Sequence, residues 1–415
     1  MDPAQRTSFR ALLLAVFVSS IPATLILPMM PSFGTAFGIS APQLGLLVGI
    51  YPLTSMLVSP FWGRLSDRYG RKPVLIATLL GGALAFLVFA FSTSWIGLLI
   101  GRAMQGLAGT PRGIGFAVAS DVADRKELSA RMGEVTAAMA IAFTIGPIIG
   151  GLFMGEDPDS LIGKMRMLIG LPGDGFNHVM PSLLGVTVNL IAAVVIIFRF
   201  RESWHPDEYE EKPRAADDNR RQFSEAIFHA AVIVAIFFFL VSGFIQGSLQ
   251  FAFAMWADLT MNWTAQYIAW SGALIGLGFA IGSGALLKPM TRRFGPEVTV
   301  FSGTLIDAAG LAVFLLFQES TVIALSGLFV SAIGNGFWAT TILTLLSREI
   351  DERDQGLALG VANGASLLGR VLGPAFAGYL AANVAAGAPF ALLFGCVLLA
   401  VFRAVLLVRP ARTPG

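Results

Sequence analysis

Ionisable residues stand inside otherwise apolar runs of this 415-residue chain: Arg102, Arg112, Glu134, Asp307 and Arg370. A charge within a membrane span costs at least about 2.5 kcal/mol on insertion scales, so each of them needs a physical reason. Asp307 has only apolar or small neighbours (Leu305, Ile306, Ala308, Ala309), which makes its carboxyl the strongest candidate for taking up and releasing a proton. It could instead pair with Arg370. Arg102 is followed by Gln105-Gly106 and could bond helix carbonyls and snorkel outward. Arg112 follows ten residues on, a turn of about 1000°, so it lies within roughly 80° of the Arg102 face. It could bind an anionic or carbonyl-rich group, or neutralise Glu134. Pro111 just before it would loosen the helix and free a carbonyl. Glu134 reads either as a proton-coupling acid or as an interfacial carboxylate paired with Arg131 or Arg125.

Gln246, Gln250, Asn335, Trp338 and Asn363 add polar and aromatic groups to further apolar runs. Such a mixture suits an amphipathic ligand, and interhelical hydrogen bonding would account for it equally. Asp258 stands at the end of one run, where solvent or an outer gate could hold it. A second kind of site is the charged stretch from Gly63 to Lys72, with Asp67, Arg68, Gly70 and Arg71. Its glycines permit a tight turn between closely packed helices, and its carboxylate and arginines can form a charge network.

The elements that must carry these groups are membrane helices. The chain is 55% hydrophobic and only 13% charged, too little charge to cover a soluble protein of this length. A helix needs about 20 apolar residues to cross the hydrocarbon core. Twelve runs qualify, at roughly 10–32, 43–62, 73–92, 95–119, 131–154, 180–199, 227–255, 265–287, 298–317, 321–345, 356–381 and 388–408. The first is too long for a signal-peptide core and lacks a small-residue cleavage site after it, so it reads as a span. Lys and Arg crowd one set of loops, whereas the opposite set holds only Lys164 and Arg166. That bias predicts both termini in the cytoplasm. The polar stretch after the sixth run reads as a cytoplasmic linker, giving an N-terminal bundle over 1–200, a linker over 201–225 and a C-terminal bundle over 226–415. The external stretch from Glu156 to His178 could form a short interfacial helix over Leu161 to Leu171, with Lys164 and Arg166 at the headgroups.

The two halves repeat each other. Gly146-Pro147-Ile148-Ile149-Gly150-Gly151 in the fifth span matches Gly373-Pro374-Ala375-Phe376-Ala377-Gly378 in the eleventh. Lys288 to Gly295 occupies the place of Gly63 to Lys72 and reads as its decayed copy. Repeat-built transporters place the substrate site between their halves near mid-membrane.

Gly63 to Pro73 resembles the signature of the major facilitator superfamily between spans two and three. The resemblance implies an all-α fold of two pseudo-symmetric six-helix bundles. It implies that Arg71 pairs with Asp121 at the end of span four, and that Asp67 faces a helix N-terminus of the other half, a favourable dipole contact. Gly146, Pro147, Gly150 and Gly151 resemble the fifth-span motif of proton-coupled exporters in that superfamily. Most of the chain is similar to the tetracycline/proton antiporter branch of the 12-span drug exporters. The likeness includes Gly101-Arg102, Asp121, Gly146 to Gly151, the exit from Phe198-Arg199 to Glu202-Ser203, and Asp307, and it implies a part in proton transfer for Arg102, which resembles the family's fourth-span arginine. That branch has an acid in span one, an acid in span three and a histidine in span eight. Here Ile21 to Leu27, the run around Ala85 and Ile275 to Ile281 lack them, so that branch's substrate and proton route do not carry over residue by residue.

The expectation is a proton-driven exporter of small amphipathic molecules in the inner membrane, working as a monomer by alternating access. A facilitator or symporter for sugars or organic anions, with Arg112 on the anion, is the alternative. A membrane sensor would need an added soluble domain. The single cysteine, Cys396, and the scattered His178, His205 and His229 form no disulfide framework or metal centre. There is no nucleotide-binding glycine loop and no nucleophile constellation. No enzyme activity, cofactor or nucleic-acid partner is expected; the partners are the bilayer, protons and the substrate.

Overall fold

The computed structural model describes residues 3–109, 111–122, 128–154, 159, 161–168, 170, 176–203, 230–349 and 355–407. The linker from 204 on, Arg125, Lys126 and the side chain of Arg112 lie outside them. Every regular element among the described residues is helical. Nine helices there are long and apolar enough to cross a membrane: α3 (Ala41–Tyr69), α4 (Arg71–Ala90), α9 (Val179–Arg199), α10 (Ala230–Met261), α11 (Ala265–Ala280) with its continuation, α13 (Pro296–Leu316), α14 (Thr321–Glu349), α15 (Gln355–Asn383) and α16 (Ala388–Val405). The other three spans are α1 (Pro3–Leu25), the pair α5 (Trp95–Leu107) and α6 (Pro111–Val122), and α7 (Leu128–Phe153). Together they make the expected all-α membrane fold of twelve spans. Short helices α2 (Met30–Phe37), α8 (Leu161–Leu168) and α12 (Leu287–Phe294) lie between spans.

Three expectations need correction. Span one does not run to residue 32. It ends at Leu25, and Pro28 and Pro31 open a 3-10 turn (Leu27–Met29) and then α2. Span four is not one helix, because Gly109 takes φ +76° and Pro111 starts a new helix. The angular relation between Arg102 and Arg112 therefore does not hold. Span eight keeps its expected place and passes through a π-helical turn, Ile281–Ala285. Finally, α8 turns Arg166 inward at 1% exposure while Leu161 and Leu168 point outward. Only Lys164 of the two basic residues is exposed, so Arg166 is not a headgroup contact.

The chain divides into two compact units. The first comprises Met1–Glu211 with Phe253–Ala273, the second Lys212–Ala252 with Leu274–Gly415. The first unit's core joins α1, α4, α6, α7 and α9 through residues such as Leu12, Val16, Leu75, Val118, Val135 and Ile196. Residues 253–273, assigned by the sequence reading to the second bundle, belong to this unit. One reason is Gly151: a Cβ there would stand 2.7 Å from Nε1 of Trp270. In the second unit, α13 and α14 approach so closely that Gly303, Gly310, Gly327 and Gly334 face the partner helix's backbone.

Candidate functional site

Three polar clusters emerge from these helices. The first lies where α3 meets α4 in the first unit. Gly70 (φ +95°, ψ 163°) ends α3 and is the N-cap of α4, so Arg71 points back along the turn. Arg71 Nη1 donates to Asp67 Oδ1 at 2.5 Å and to Ser66 Oγ at 3.0 Å. Its Nε and Nη2 donate to the two oxygens of Asp121, at 2.8 and 3.3 Å, a bidentate pair. The Arg71 side chain is 6% exposed and that of Asp121 is 10% exposed, so this pair is shielded in a way a solvated loop is not. The structure thus brings Asp67, Gly70, Arg71 and Asp121 together. Gly63 and Arg68 are exposed, and the Arg68 guanidinium lies over the Tyr69 ring at 5.4 Å.

Sequence reasoning carried Glu202 and Ser203 only as part of a likeness. Glu202 Oε1 accepts from the Arg71 amide and Oε2 from the Lys72 amide, each at 2.9 Å, and Ser203 Oγ donates to Asp121 Oδ2 at 3.4 Å. Contacts spanning 131 residues leave no periodic signal in the sequence.

The second cluster surrounds Asp307, which is fully buried on α13. Ser331 Oγ donates to its Oδ1 at 2.6 Å. Trp338 Nε1 and Asn335 Nδ2 donate to Oδ2 at 3.0 and 3.3 Å. All three donors come from one face of α14, at spacings of four and three residues. Ser331 was missed, and that spacing was its signal. Asn335 and Trp338, expected on the substrate, are buried and donate to Asp307. Arg370 is not the partner of Asp307: its Nη2 donates to Gln246 Oε1 at 2.5 Å, and Gln246 Nε2 donates to Ser242 Oγ at 3.0 Å. Gln250 is partly buried, and Asn363 is exposed.

The third cluster holds Arg102, 2% exposed on α5. Its Nη1 donates to Gln105 Oε1 at 2.8 Å, and its guanidinium lies 5.2 Å from the Tyr51 ring centre. Glu134 pairs with Arg131 at 2.9 Å on the same helix, the interfacial arrangement among the readings open for it. Gly146 and Gly150 seat α7 on α1: a Cβ on Gly146 would stand 3.1 Å from the Ile21 carbonyl, and one on Gly150 2.9 Å from Leu25. Pro147 is buried in the same helix. No group of three or more metal-ligating side chains exists among the described residues.

The fold and the arginine–carboxylate cluster after α3 define a class, the polytopic two-bundle membrane transporters. The chain belongs to the Major Facilitator Superfamily, whose profile matches residues 12–363 and 251–415. It is 27% identical over 338 residues to the class C tetracycline resistance protein of Escherichia coli, covering 80% of this chain and 78% of that one. It is 28% identical over 374 residues to multidrug resistance protein 1 of Bacillus subtilis (strain 168), covering 89% and 88%. A bacterial homologue of the human lysosomal transporter Spinster, solved inward-facing and occupied, superposes with a TM-score of 0.77 at 19% identity, all of both chains covered. The human organic anion transporter MFSD10 (TETRAN) gives 0.70 at 18% identity, covering 97% of this chain and 100% of that one. The protein is a multi-pass membrane transporter of a small molecule and not an enzyme.

Proposed function

We propose that this transporter exports small amphipathic molecules in exchange for protons, by alternating access of its two halves in the inner membrane. The basic loops, and with them both termini, lie in the cytoplasm on this reading. The observation that carries it is Asp307: a fully buried carboxyl on a membrane span, held by three neutral donors and by no cation among the described residues. A carboxyl locked to arginine cannot readily change its charge. One held by Ser331 can, because a hydroxyl donates to the anion and accepts from the acid by a single rotation. Similarity to tetracycline and multidrug resistance proteins supports export as the direction. Arg102 and Glu134 serve the proton's route. Arg112, Gln246, Gln250 and Asn363 contact substrate, with Asn335 and Trp338 acting through Asp307. Asp67, Arg71 and Asp121 form a gate that holds the cytoplasmic side closed, and Gly146 to Gly151 keep α7 against α1 through the cycle.

A facilitator for organic anions is the second reading. It is favoured by Arg370, a cation on a span whose Nη2 donates to the amide oxygen of Gln246. Proteoliposomes loaded with ethidium separate the two. Under the leading reading, Asp307→Asn abolishes efflux driven by a pH gradient and leaves ethidium exchange intact. Efflux indifferent to the gradient in the unaltered protein refutes the coupling.

A further inference from the structure

The first turn of α4 has a capping problem that its own sequence does not solve. Its N-cap is Gly70, which has no side chain to accept from the exposed amides. Pro73 carries no amide hydrogen, so the donors needing acceptors at the start are Arg71 and Lys72. Glu202, three residues past the end of α9, takes one on each carboxylate oxygen, at 2.9 Å both times. A carboxylate there also opposes the positive end of the helix dipole. The approach is so close that a Cβ on Gly70 would stand 2.6 Å from Glu202 Oε2, and the φ of +95° independently demands glycine.

The segment carrying Glu202 is itself held from both sides. Ser8 Oγ of α1 donates to the Arg201 carbonyl at 3.1 Å and accepts from the Arg201 amide at 3.0 Å. Ser203 Oγ reaches Asp121 on α6. Three consecutive residues are thus bonded to three different helices.

The second copy of this turn uses another solution. Gly295 repeats the conformation of Gly70 (φ +82°, ψ 163°), but Pro296 and Glu297 follow it directly. The carboxylate of Glu297, on the same helix, lies 3.4 Å from a Cβ built on Gly295. An acid of the same helix lies beside the glycine there, and no side chain among the described residues caps that turn as Glu202 caps the first copy.

We propose that Glu202 is the positioning residue of the gate. By fixing the first turn of α4 from outside the helix, it aims the Arg71 guanidinium at Asp67 and Asp121. This rests on the gate reading of Asp67, Arg71 and Asp121. Hydrogen exchange followed by mass spectrometry on the full chain tests it without any substrate. Glu202→Gln leaves one acceptor where there were two, and the Arg71 and Lys72 amides then exchange about fivefold faster, the loss of roughly one cap. If Glu202 aims Arg71, the last turn of α3 (Asp67 to Gly70) also exchanges faster, since Arg71 bonds Asp67 and Ser66 there. In an Arg71→Gln background, adding Glu202→Gln leaves that α3 turn unmoved, whereas in the chain that keeps Arg71 the conservative Glu202→Asp retains part of the protection in both turns. Exchange across α9 stays constant as the internal control. Faster exchange confined to α4, or no change in either turn, overturns the proposal. The gate reading is tested separately: if Asp121→Asn transports ethidium at the unaltered rate, that reading fails whatever the exchange data give.

Discussion

At the scale of single residues, hydrogen bonding decides what each buried polar group can do. Asp307 offers two oxygens and receives three donors from α14. Asp307→Ala leaves all three donors without an acceptor in an apolar span. Interhelical hydrogen bonds in membranes average about 0.6 kcal/mol each, so a loss of roughly 2 kcal/mol is expected, read as a lower unfolding midpoint in detergent. Asp307→Asn, which keeps an acceptor, loses less. His178 presents a different balance. Its ring sits among Phe33, Phe37, Phe89 and Phe176, with centroid distances of 5.6, 5.5, 6.2 and 6.1 Å. Its Nε2 is buried with no hydrogen-bond partner among the described residues. Burial holds this imidazole below its ordinary value of 6.5, against the backbone of Ser92 and Ala90, which favours the charged form. The unfolded chain therefore binds a proton more readily than the folded one. Stability is full above about pH 6.5 and declines as pH falls from there towards the folded value. The unfolding midpoint of the unaltered protein should drop more between pH 7 and pH 5 than that of His178→Gln; equal slopes would remove this role.

At the scale of elements, the interruption of span four is the main departure from a run of apolar residues. α5 ends at Leu107, whose freed carbonyl accepts from Trp62 Nε1 at 2.9 Å. Gly109 then takes a left-handed conformation against the Trp62 ring, where a Cβ would stand 2.7 Å from Cδ1. Gly109→Ala meets both the wrong φ and the indole, and should cost about 1–3 kcal/mol in thermal stability. Trp62→Phe removes only the hydrogen bond, about 1 kcal/mol. Equal losses in the two variants would show that the indole, and not the turn, is what matters there. The spans themselves were legible because length and apolarity suffice to mark them. Gly70, Arg71 and Asp121 were legible because their order and spacing form a motif. The break was only half legible: Pro111 announced a weak helix, but the left-handed turn depends on Trp62, from another span. The partners of Asp307 were hidden because they depend on how α13 and α14 rotate against each other, which glycines at 303, 310, 327 and 334 permit and no single-helix period reveals.

At the scale of the whole molecule, the duplicated sequence signals have duplicated structural roles. Gly146 on α7 sits on Thr24 and the Ile21 carbonyl of α1, and Gly373 on α15 sits on Ser248 and the Phe244 carbonyl of α10. Gly70 and Gly295 share one backbone conformation. Against this symmetry, the polar groups are unequal. The first unit holds the Arg71–Asp121 network and the buried Arg102, and the second holds the buried Asp307. A machine that exchanges protons for cargo needs such a difference, since only one carboxyl has to change its charge during the cycle. Proton movement measured directly is the sharpest test. Proteoliposomes carrying a trapped pH-sensitive dye, with a pH gradient imposed, are given ethidium on the side opposite the protons. The account predicts that ethidium speeds collapse of the gradient with the unaltered protein and leaves it unchanged with Asp307→Asn. Ethidium crossing the unaltered protein without any added proton flow, or equal proton flow through Asp307→Asn, would contradict it.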